Sequence, residues 1–474
     1  MKVSDFRPGF ECRLRRRIER NMNTKGKKVL IVGTGKSGMA AAELLDGQGA
    51  DYILYDENDK IDREKVRAQL SRDAHPEILT GSFPAERTEE FDLVVMSPGV
   101  PVDTPFVDRF REKGIPVWGE LELGCSCLQG RMAAITGTNG KTTTTALTGQ
   151  ILKDYQDSVF VVGNIGDPVT HEAEKTRPES VTVAEVSSFQ LETTVDFHPE
   201  VSAILNITPD HLNRHHTMEN YVAVKESIAK NQTKKDICVL NYMDPYTRSF
   251  GGRCPARVIW FSSKEKPEEG YYLEQDVICR RFDGRDERLL NVHEMKLPGV
   301  HNAENVMAAI AMASALGVPM ESILDSVRRF KAVKHRIEYV AEKRGVAYYN
   351  DSKGTNPDAA IRGIRAMDRP TVLIGGGYDK GSEYDEWIEA FDGKVKLLVL
   401  IGQTREKIAA CARKHGLTDV VCADSFEECM DICVKNAVPG DAVLLSPACA
   451  SWGMFPNYEV RGDTFREYVN NLKE

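Results

Sequence analysis

Long apolar runs are the first thing missing from this chain of 474 residues. No uninterrupted apolar stretch approaches about 18 residues, so no segment is expected to span a bilayer, and the N-terminus carries no apolar signal core. An excess of positive charge is missing as well. Lys and Arg number 62 against 71 Asp and Glu, a net charge of −9, which excludes a protein that holds nucleic acid by bulk electrostatics. An anionic ligand must be gripped locally. The 11 cysteines lack the clustering of a zinc module: Cys125/Cys127 and Cys429/Cys433 are the close pairs, and no further cluster completes either. Reduced thiols in a cytoplasmic protein are the expectation. Aromatic residues make up 8%, charged residues 28% and hydrophobic residues 41%. This ordinary balance excludes collagen-like, low-complexity and wholly disordered chains.

What is present is uneven. The first 28 residues hold ten Lys or Arg and three acids, +7, leaving −16 for the rest. Residues 1–27 are therefore expected to form a solvated, disordered basic arm. At about 150 residues per domain, the length points to three domains.

From Lys28 the chain reads strand, glycine turn, helix, strand: Val29-Leu-Ile-Val32, Gly33-Thr-Gly-Lys-Ser-Gly38, an alanine-rich helix to about Asp46, then Tyr52-Ile-Leu-Tyr55 and Asp56. This is a Rossmann-like opening, whose glycines let backbone N–H groups approach a diphosphate while Asp56 can accept from a ribose or base. NAD, FAD, a nucleotide sugar and a purely structural glycine turn all fit it. A strand Phe91–Met96 then runs into Ser97-Pro-Gly99, and this domain is expected to close near Trp118-Gly119.

A second phosphate signature follows. The apolar strand Met132-Ala-Ala-Ile-Thr136 leads into Gly137-Thr-Asn-Gly-Lys-Thr-Thr143 and a helical run to about Leu152. The full Walker A spacing would need glycine at position 135, which is Ile135, so only the shorter Gly-x-x-Gly-Lys-Thr form is present. Its mechanics are unchanged: loop N–H groups surround phosphate oxygens, Lys141 supplies a point charge, and Thr142 can ligate Mg²⁺. The strand Val181–Val186 delivers Glu185, a candidate magnesium ligand whose bland alternative is a solvated strand end. Another strand, Val201–Asn206, opens into Thr208-Pro-Asp-His-Leu-Asn-Arg-His215, and Tyr221-Val-Ala-Val-Lys225 is read as the start of a helix. After Phe330, four strands near 346–350, 371–375, 396–401 and 442–446 alternate with helices, a second small Rossmann-like unit. The fold class expected is α/β in three domains: Rossmann-like at 28–119, a P-loop-type ATPase with a mostly parallel sheet at 120–332, and Rossmann-like at 333–474.

Taken in order, Gly137–Thr143, Gly163-Asn-Ile-Gly166, Glu185-Val-Ser-Ser-Phe-Gln-Leu-Glu192, Asp210-His211, Gly299-Val-His-Asn-Ala-Glu-Asn305, His335-Arg336, Asn350-Asp-Ser-Lys353 and Ser446-Pro-Ala-Cys-Ala-Ser451 resemble the Mur ligases over roughly residues 28 to 474. Ser187–Glu192 and Ser446–Ser451 look like the D-glutamate-adding branch. The resemblance implies that ATP phosphorylates the L-alanyl carboxylate of UDP-N-acetylmuramoyl-L-alanine, that the amine of D-glutamate attacks the acyl phosphate, and that a tetrahedral intermediate expels phosphate. This is a step of peptidoglycan precursor synthesis in the cytoplasm, by an expected monomer.

By the same resemblance, ATP meets Gly137, Thr138, Asn139, Gly140, Lys141, Thr142, Thr143, Asn302, Asn305, Arg336 and Asp351. Two Mg²⁺ ions, replaceable by Mn²⁺, fall to Thr142, Glu185, His211 and Lys225, the lysine being carbamylated by CO₂. Lys141, Glu185, His211 and Lys225 form the catalytic set. The uridine substrate is expected at Gly35, Lys36, Ser37, Asp56, Glu57, Ser97, Asn164, Ser188, Gln190 and His211, and D-glutamate at Thr355, Lys380, Ser451, Trp452 and Tyr458. Closure of the C-terminal domain would shield the acyl phosphate from water. Two positions depart from the pattern: Asn213 stands where many relatives have aspartate, and Trp452 where leucine is commoner. A folylpolyglutamate-synthetase-like ligase is disfavoured by the Gly33–Gly38 domain, an NAD-dependent dehydrogenase leaves Lys141 and Glu185 unexplained, and a non-catalytic precursor-binding protein predicts binding without ATP turnover.

Overall fold

The computed structural model describes residues 24–70, 75–297, 299–331 and 334–473, without the side chains of Asn213 and Asp358. Most of the expected basic arm and the side chain at the Asn213 departure lie outside the described residues. Two compact units are present: one runs to Leu273 and adds Cys279–Arg288 and Val306–Ser326, and the other comprises Glu274–Ile278, Leu289–Asn305 and Val327–Glu474.

The N-terminal sheet has strands β1 (Lys28–Val32), β2 (Asp51–Asp56), β3 (Ile78–Thr80), β4 (Leu93–Met96) and β5 (Val117–Gly119) in the order β3-β2-β1-β4-β5. All neighbours are parallel, with Leu30 beside Ile53 and Val94. Val29, Leu30, Ile31 and Val32 are buried, as a parallel strand covered on both faces requires. Strand order reverses between β1 and β4, and the Gly33 and Ser97 loops leave their carboxyl ends there, the usual ligand crevice of such sheets. Gly38 is needed for close packing: a Cβ there would lie 1.9 Å from the Gly33 carbonyl oxygen.

The central sheet contains β6 (Arg131–Thr136), β7 (Val159–Gly163), β8 (Val181–Glu185), β9 (Val201–Ile204), β10 (Ile237–Asn241), β11 (Arg257–Ser262), β12 (Gly270–Glu274), β13 (Val277–Phe282) and β14 (Arg285–Asn291). Their order is β14-β13-β12-β11-β10-β9-β6-β8-β7, with β6 parallel to both β8 and β9. The sequence reading carries no strand of this sheet beyond Asn206. The Asp283-Gly284 link between β13 and β14, with φ of 51° and 72°, is the two-residue hairpin signal that marks them. The exposed run Arg285-Asp-Glu-Arg288 hides the apolar alternation of β14. Lys225 also sits differently from expectation. Its helix spans Met218–Glu226 and starts at a Thr217 cap, where Thr217 Oγ1 accepts from Asn220 N at 3.2 Å, so Lys225 belongs to the last turn.

The C-terminal sheet has six strands where four were expected: β15 (Glu338–Lys343), β16 (Val346–Asn350), β17 (Thr371–Gly376), β18 (Val395–Ile401), β19 (Val420–Cys422) and β20 (Ala442–Leu445). The order is β15-β16-β20-β17-β18-β19, parallel except at β15. A bulge at Tyr339/Ala341 breaks the period of β15, and β19 has only three residues. Among the described residues no helix is long and apolar enough to cross a membrane.

Candidate active site

Gly137-Thr-Asn-Gly-Lys-Thr-Thr143 lies between the carboxyl end of β6 and the helix Lys141–Tyr155. Gly137 and Gly140 take φ of 151° and 85°, conformations that favour glycine. Asn206, at the end of the neighbouring strand, braces the loop. Its Oδ1 accepts from Asn139 N at 2.9 Å, its Nδ2 donates to Asn139 O at 3.1 Å, and its carbonyl accepts from Thr138 N at 2.8 Å. Lys141 Nζ donates to the carbonyls of Gly137 and Thr138 at 2.8 and 3.0 Å, which keeps the ammonium against the loop. Thr142 and Thr143 are buried, and the side-chain nitrogen of Asn139 is buried without a hydrogen-bond partner.

Beside the loop, β8 ends on Glu185, which is buried. Asn164 Nδ2 donates to Glu185 Oε1 at 2.8 Å, while Oε2 is buried and unpartnered. An orphaned carboxylate oxygen next to a threonine-bearing phosphate loop is a hard oxygen donor set of the kind magnesium takes. The residues present fit such an ion. Lys225 is also buried; its Nζ donates to Gly137 O at 3.0 Å and lies 4.6 Å from the Tyr221 ring centroid. Burial first, and then the charge of Lys141, hold this ammonium well below the usual lysine range. Tyr221 is tied back to the loop through a 3.1 Å hydrogen bond between its hydroxyl and that of Thr138.

His211 is exposed, with φ of 53°; its ring packs on Phe189 and its Nε2 is 3.5 Å from Asp210 Oδ2. The sequence reading missed the buried groups behind it. His215 Nε2 meets Ser188 Oγ at 2.9 Å, and His215 Nδ1 lies 3.3 Å from Glu192 Oε1. Burial, then His211, Lys225 and Arg214, push the His215 imidazolium down to about 4. Arg214 pairs with Glu192 at 2.6 Å. Gln190 works locally, its Oε1 accepting from Ser187 N and Oγ at 2.9 and 3.0 Å in a capping box.

At the N-terminal crevice, Asp56 Oδ2 accepts from Thr34 N and Oγ1 at 3.0 and 2.9 Å, so this carboxylate shapes the glycine turn itself. Lys36 Nζ donates to Gly166 O at 2.8 Å and lies 3.1 Å from Asp167, joining the turn to the Asn164 loop. Ser97 Oγ is buried without a partner, and Gly35, Ser37 and Glu57 line the same strand ends.

The second unit gathers its own loops at strand ends. Tyr378 N donates to Ala450 O at 2.9 Å, which brings the β17 and β20 loops together. There Lys380 Nζ stands 4.9 Å from the ring centroid of Trp452, half of whose surface is exposed, while Ser451 is buried. Thr355 is half-buried, and Tyr458 opens the helix Tyr458–Asn471, its ring 5.5 Å from Lys353 Nζ. Asp351 is internal: Ser446 Oγ donates to its Oδ2 at 2.7 Å and Ile337 N to its Oδ1 at 3.2 Å. Burial raises its carboxyl to about 6. Arg336 Nε is buried without a partner, between His335 and Ile337 at φ of 65° and 45°. Asn302 and Asn305 are buried on the first turns of the helix Val300–Ala315, 3.2 Å apart. No motif points to Arg461, whose buried guanidinium donates to Ser352 O, Ser352 Oγ and Cys449 O at 2.7, 2.9 and 3.2 Å.

Three α/β domains, one with a strand–phosphate-loop–helix unit beside a buried carboxylate with one unpartnered oxygen, define a nucleotide-dependent enzyme of the phosphate-loop class. The chain belongs to the Mur ligase family, a family of ATP-dependent ligases: residues 27–119 match the Mur ligase MurD-like N-terminal domain, 135–313 the Mur ligase middle domain and 335–449 the Mur ligase glutamate ligase domain. The UDP-N-acetylmuramoylalanine–D-glutamate ligase of Lachnospira eligens is 59% identical over 451 residues, 95% of this chain and 100% of that protein. The protein of the same name from Lachnoclostridium phytofermentans is 55% identical over 453 residues, 96% and 100% of the two chains. The crystal structure of the UDP-N-acetylmuramate-alanine ligase MurC of Thermotoga maritima superposes with a TM-score of 0.59 at 20% identity, covering 94% of this chain and 100% of that one.

Proposed function

We propose that the protein joins D-glutamate to UDP-N-acetylmuramoyl-L-alanine, with ATP converted to ADP and phosphate. The observation that carries this reading is the buried, unpaired Oε2 of Glu185 beside the Lys141 phosphate loop, in a chain 59% identical to a ligase of that name. A substrate carboxylate and ATP repel one another, so the transfer needs positive charge placed before reaction. Lys141 supplies it, moving from the loop carbonyls onto phosphate oxygens. Thr142, Glu185, His211 and Lys225 are assigned to two magnesium ions, which supply charge neutralisation at the transferring phosphoryl group. Only a neutral amine adds CO₂, and the depressed basicity of Lys225 supports its carbamylation.

The domain at 28–119 takes the uridine nucleotide through Gly35, Lys36, Ser37, Asp56, Glu57 and Ser97, and Asn164, Ser188 and Gln190 set the muramoyl end. Asn164 also orients Glu185. The domain at 120–332 binds ATP, with Asn302 and Asn305 near the base. In the domain at 333–474, Arg336 serves ATP and Asp351 anchors its loop, while Thr355, Lys380, Ser451, Trp452 and Tyr458 receive D-glutamate. The γ-phosphoryl group passes to the L-alanyl carboxylate, the D-glutamate amine attacks the resulting acyl phosphate, and phosphate leaves.

Phosphate release from ATP with Mg²⁺ and UDP-N-acetylmuramoyl-L-alanine, compared across D-glutamate, L-glutamate, glycine and no amino acid, tests the reading. Dependence on D-glutamate is expected. Release with another amino acid overturns the acceptor assignment, and binding of the uridine substrate without any release overturns catalysis in favour of a precursor-binding protein.

A further inference from the structure

Away from the strand-end loops, the second unit brings together three chemically different metal donors. Cys411 and His415 are one helical turn apart: His415 N donates to Cys411 O at 3.2 Å, so both side chains leave the same face of the helix Arg405–Lys414. Asp385, the first residue of the helix Asp385–Glu389, faces them. One ligand atom from each of the three lies within 4.8 Å of the others. His415 Nε2 is 2.9 Å from Asp385 Oδ1, and its Nδ1 is 3.7 Å from Glu389 Oε1.

We propose that Asp385, Cys411 and His415 bind a thiophilic divalent transition ion, zinc being the best fit. Tetrahedral zinc, with bonds of about 2.0–2.1 Å to N and O and about 2.3 Å to S, places adjacent donors roughly 3.4–3.7 Å apart. His415 Nε2 and Asp385 Oδ1 stand 2.9 Å apart and all three donor atoms lie within 4.8 Å of one another, close to that spacing. A thiolate in the set selects against magnesium and calcium, which take oxygen. Glu389 Oε1, 3.7 Å from His415 Nδ1, adds negative charge beside the ring, and Nε2 is the nitrogen that faces Asp385. Partial exposure leaves the fourth position to water. Lys414, whose Nζ is 2.7 Å from Asp385 Oδ1, competes for the carboxylate; its side chain is 72% exposed and free to leave for solvent.

The site is distinct from the D-glutamate loops. At the N-terminal end of the same helix, Thr404 Oγ1 accepts from Gly377 N at 3.0 Å, and the ten-residue helix carries His415 about 15 Å further on. An ion there joins two helices whose inner faces, with Trp387, Ile408 and Ala412, belong to the core. Its role is to stabilise this layer. The cysteine pattern alone conceals the site because the Asp comes from another helix.

The test uses the full-length protein stripped of metal, titrated with Co²⁺ alone and separately with Zn²⁺ alone. Co²⁺ is expected to give a thiolate-to-cobalt charge-transfer band with tetrahedral d–d bands, saturating at one equivalent. Cys411→Ser should abolish the band and His415→Gln should weaken binding at least about tenfold, while Cys422→Ser, at another partly exposed cysteine of this unit, should keep both. Zn²⁺ should raise the Tm of the parent protein and leave that of Cys411→Ser unchanged, and Lys414→Ala should bind more tightly. Absence of a charge-transfer band in the parent protein, or an identical titration in Cys411→Ser, overturns the proposal.

Discussion

Lys225 carries the most demanding chemistry assigned to any single residue. A buried ammonium next to Lys141 is disfavoured, and Gly137 O is the acceptor its Nζ reaches. Carbamylation would replace that cation with an anionic oxygen donor. Lys225→Ala is therefore expected to lower phosphate release by about 100-fold, the scale of losing a metal-site group. Added acetate or propionate should restore part of it; full activity of the alanine variant without rescue contradicts the assignment. Asp351 makes a different prediction. Its carboxyl is raised to about 6 by burial, so the folded chain keeps this proton to higher pH than the unfolded chain does. Stability from this residue is present below the unfolded value and is lost as pH rises through the folded one, by about 3 kcal/mol in all. Denaturant midpoints measured from pH 4 to pH 7 should show Asp351→Asn gaining on the parent protein as pH rises. Parallel curves for the two proteins would place the raised carboxyl elsewhere.

At the scale of elements, the glycine turn after β1 separates a required glycine from a permissive one. A Cβ on Gly38 would sit 1.9 Å from the Gly33 carbonyl oxygen, whereas a Cβ on Gly35 meets nothing within 4 Å. Gly38→Ala is expected to cost about 1–3 kcal/mol, the range of overpacking, and to raise the KM for the uridine substrate as the turn moves. Gly35→Ala should stay within about 0.5 kcal/mol of the parent in thermal unfolding. Strands that feed such turns were legible because each couples a short apolar run to glycine and a helix, as Met132–Thr136 and Thr371–Gly376 do. Strands β10 to β14 lack that coupling, and β15 mixes a bulge with polar residues, so local pattern left them out. The site divides in the same way. Lys141 and Glu185 stand at the readable ends of a helix and a strand, while Asn206, His215 and Arg461 acquire their partners only through the tertiary fold.

At the scale of the whole molecule, the N-terminal sheet and strands β6 to β11 of the central sheet share one compact unit, and buried polar contacts account for it. The helix Glu120–Cys127 packs Leu123 into the core of the N-terminal sheet, and its Glu122, 3% exposed, accepts from Val195 N at 2.8 Å, Asp196 N at 2.7 Å and Phe197 N at 3.1 Å. Gly119 N donates to Thr193 O at 3.2 Å, and Arg214 Nη2 to Val100 O at 2.9 Å. Domains that meet only through a flexible linker open separately; domains tied by buried carboxylate–backbone bonds open together. The amides of β1 and β6 are thus expected to exchange hydrogen with one common opening free energy. Glu122→Ala removes the acceptor of three backbone donors, of which the buried Phe197 N costs about 1–3 kcal/mol when unpaired, and should lower that common value by several-fold more than any surface substitution. The amides of β17 and β18, in the other compact unit, serve as the internal reference and should keep their protection. If β6 retained full protection in Glu122→Ala while β1 lost it, the two sheets would be separate folding units and this carboxylate only a local clasp.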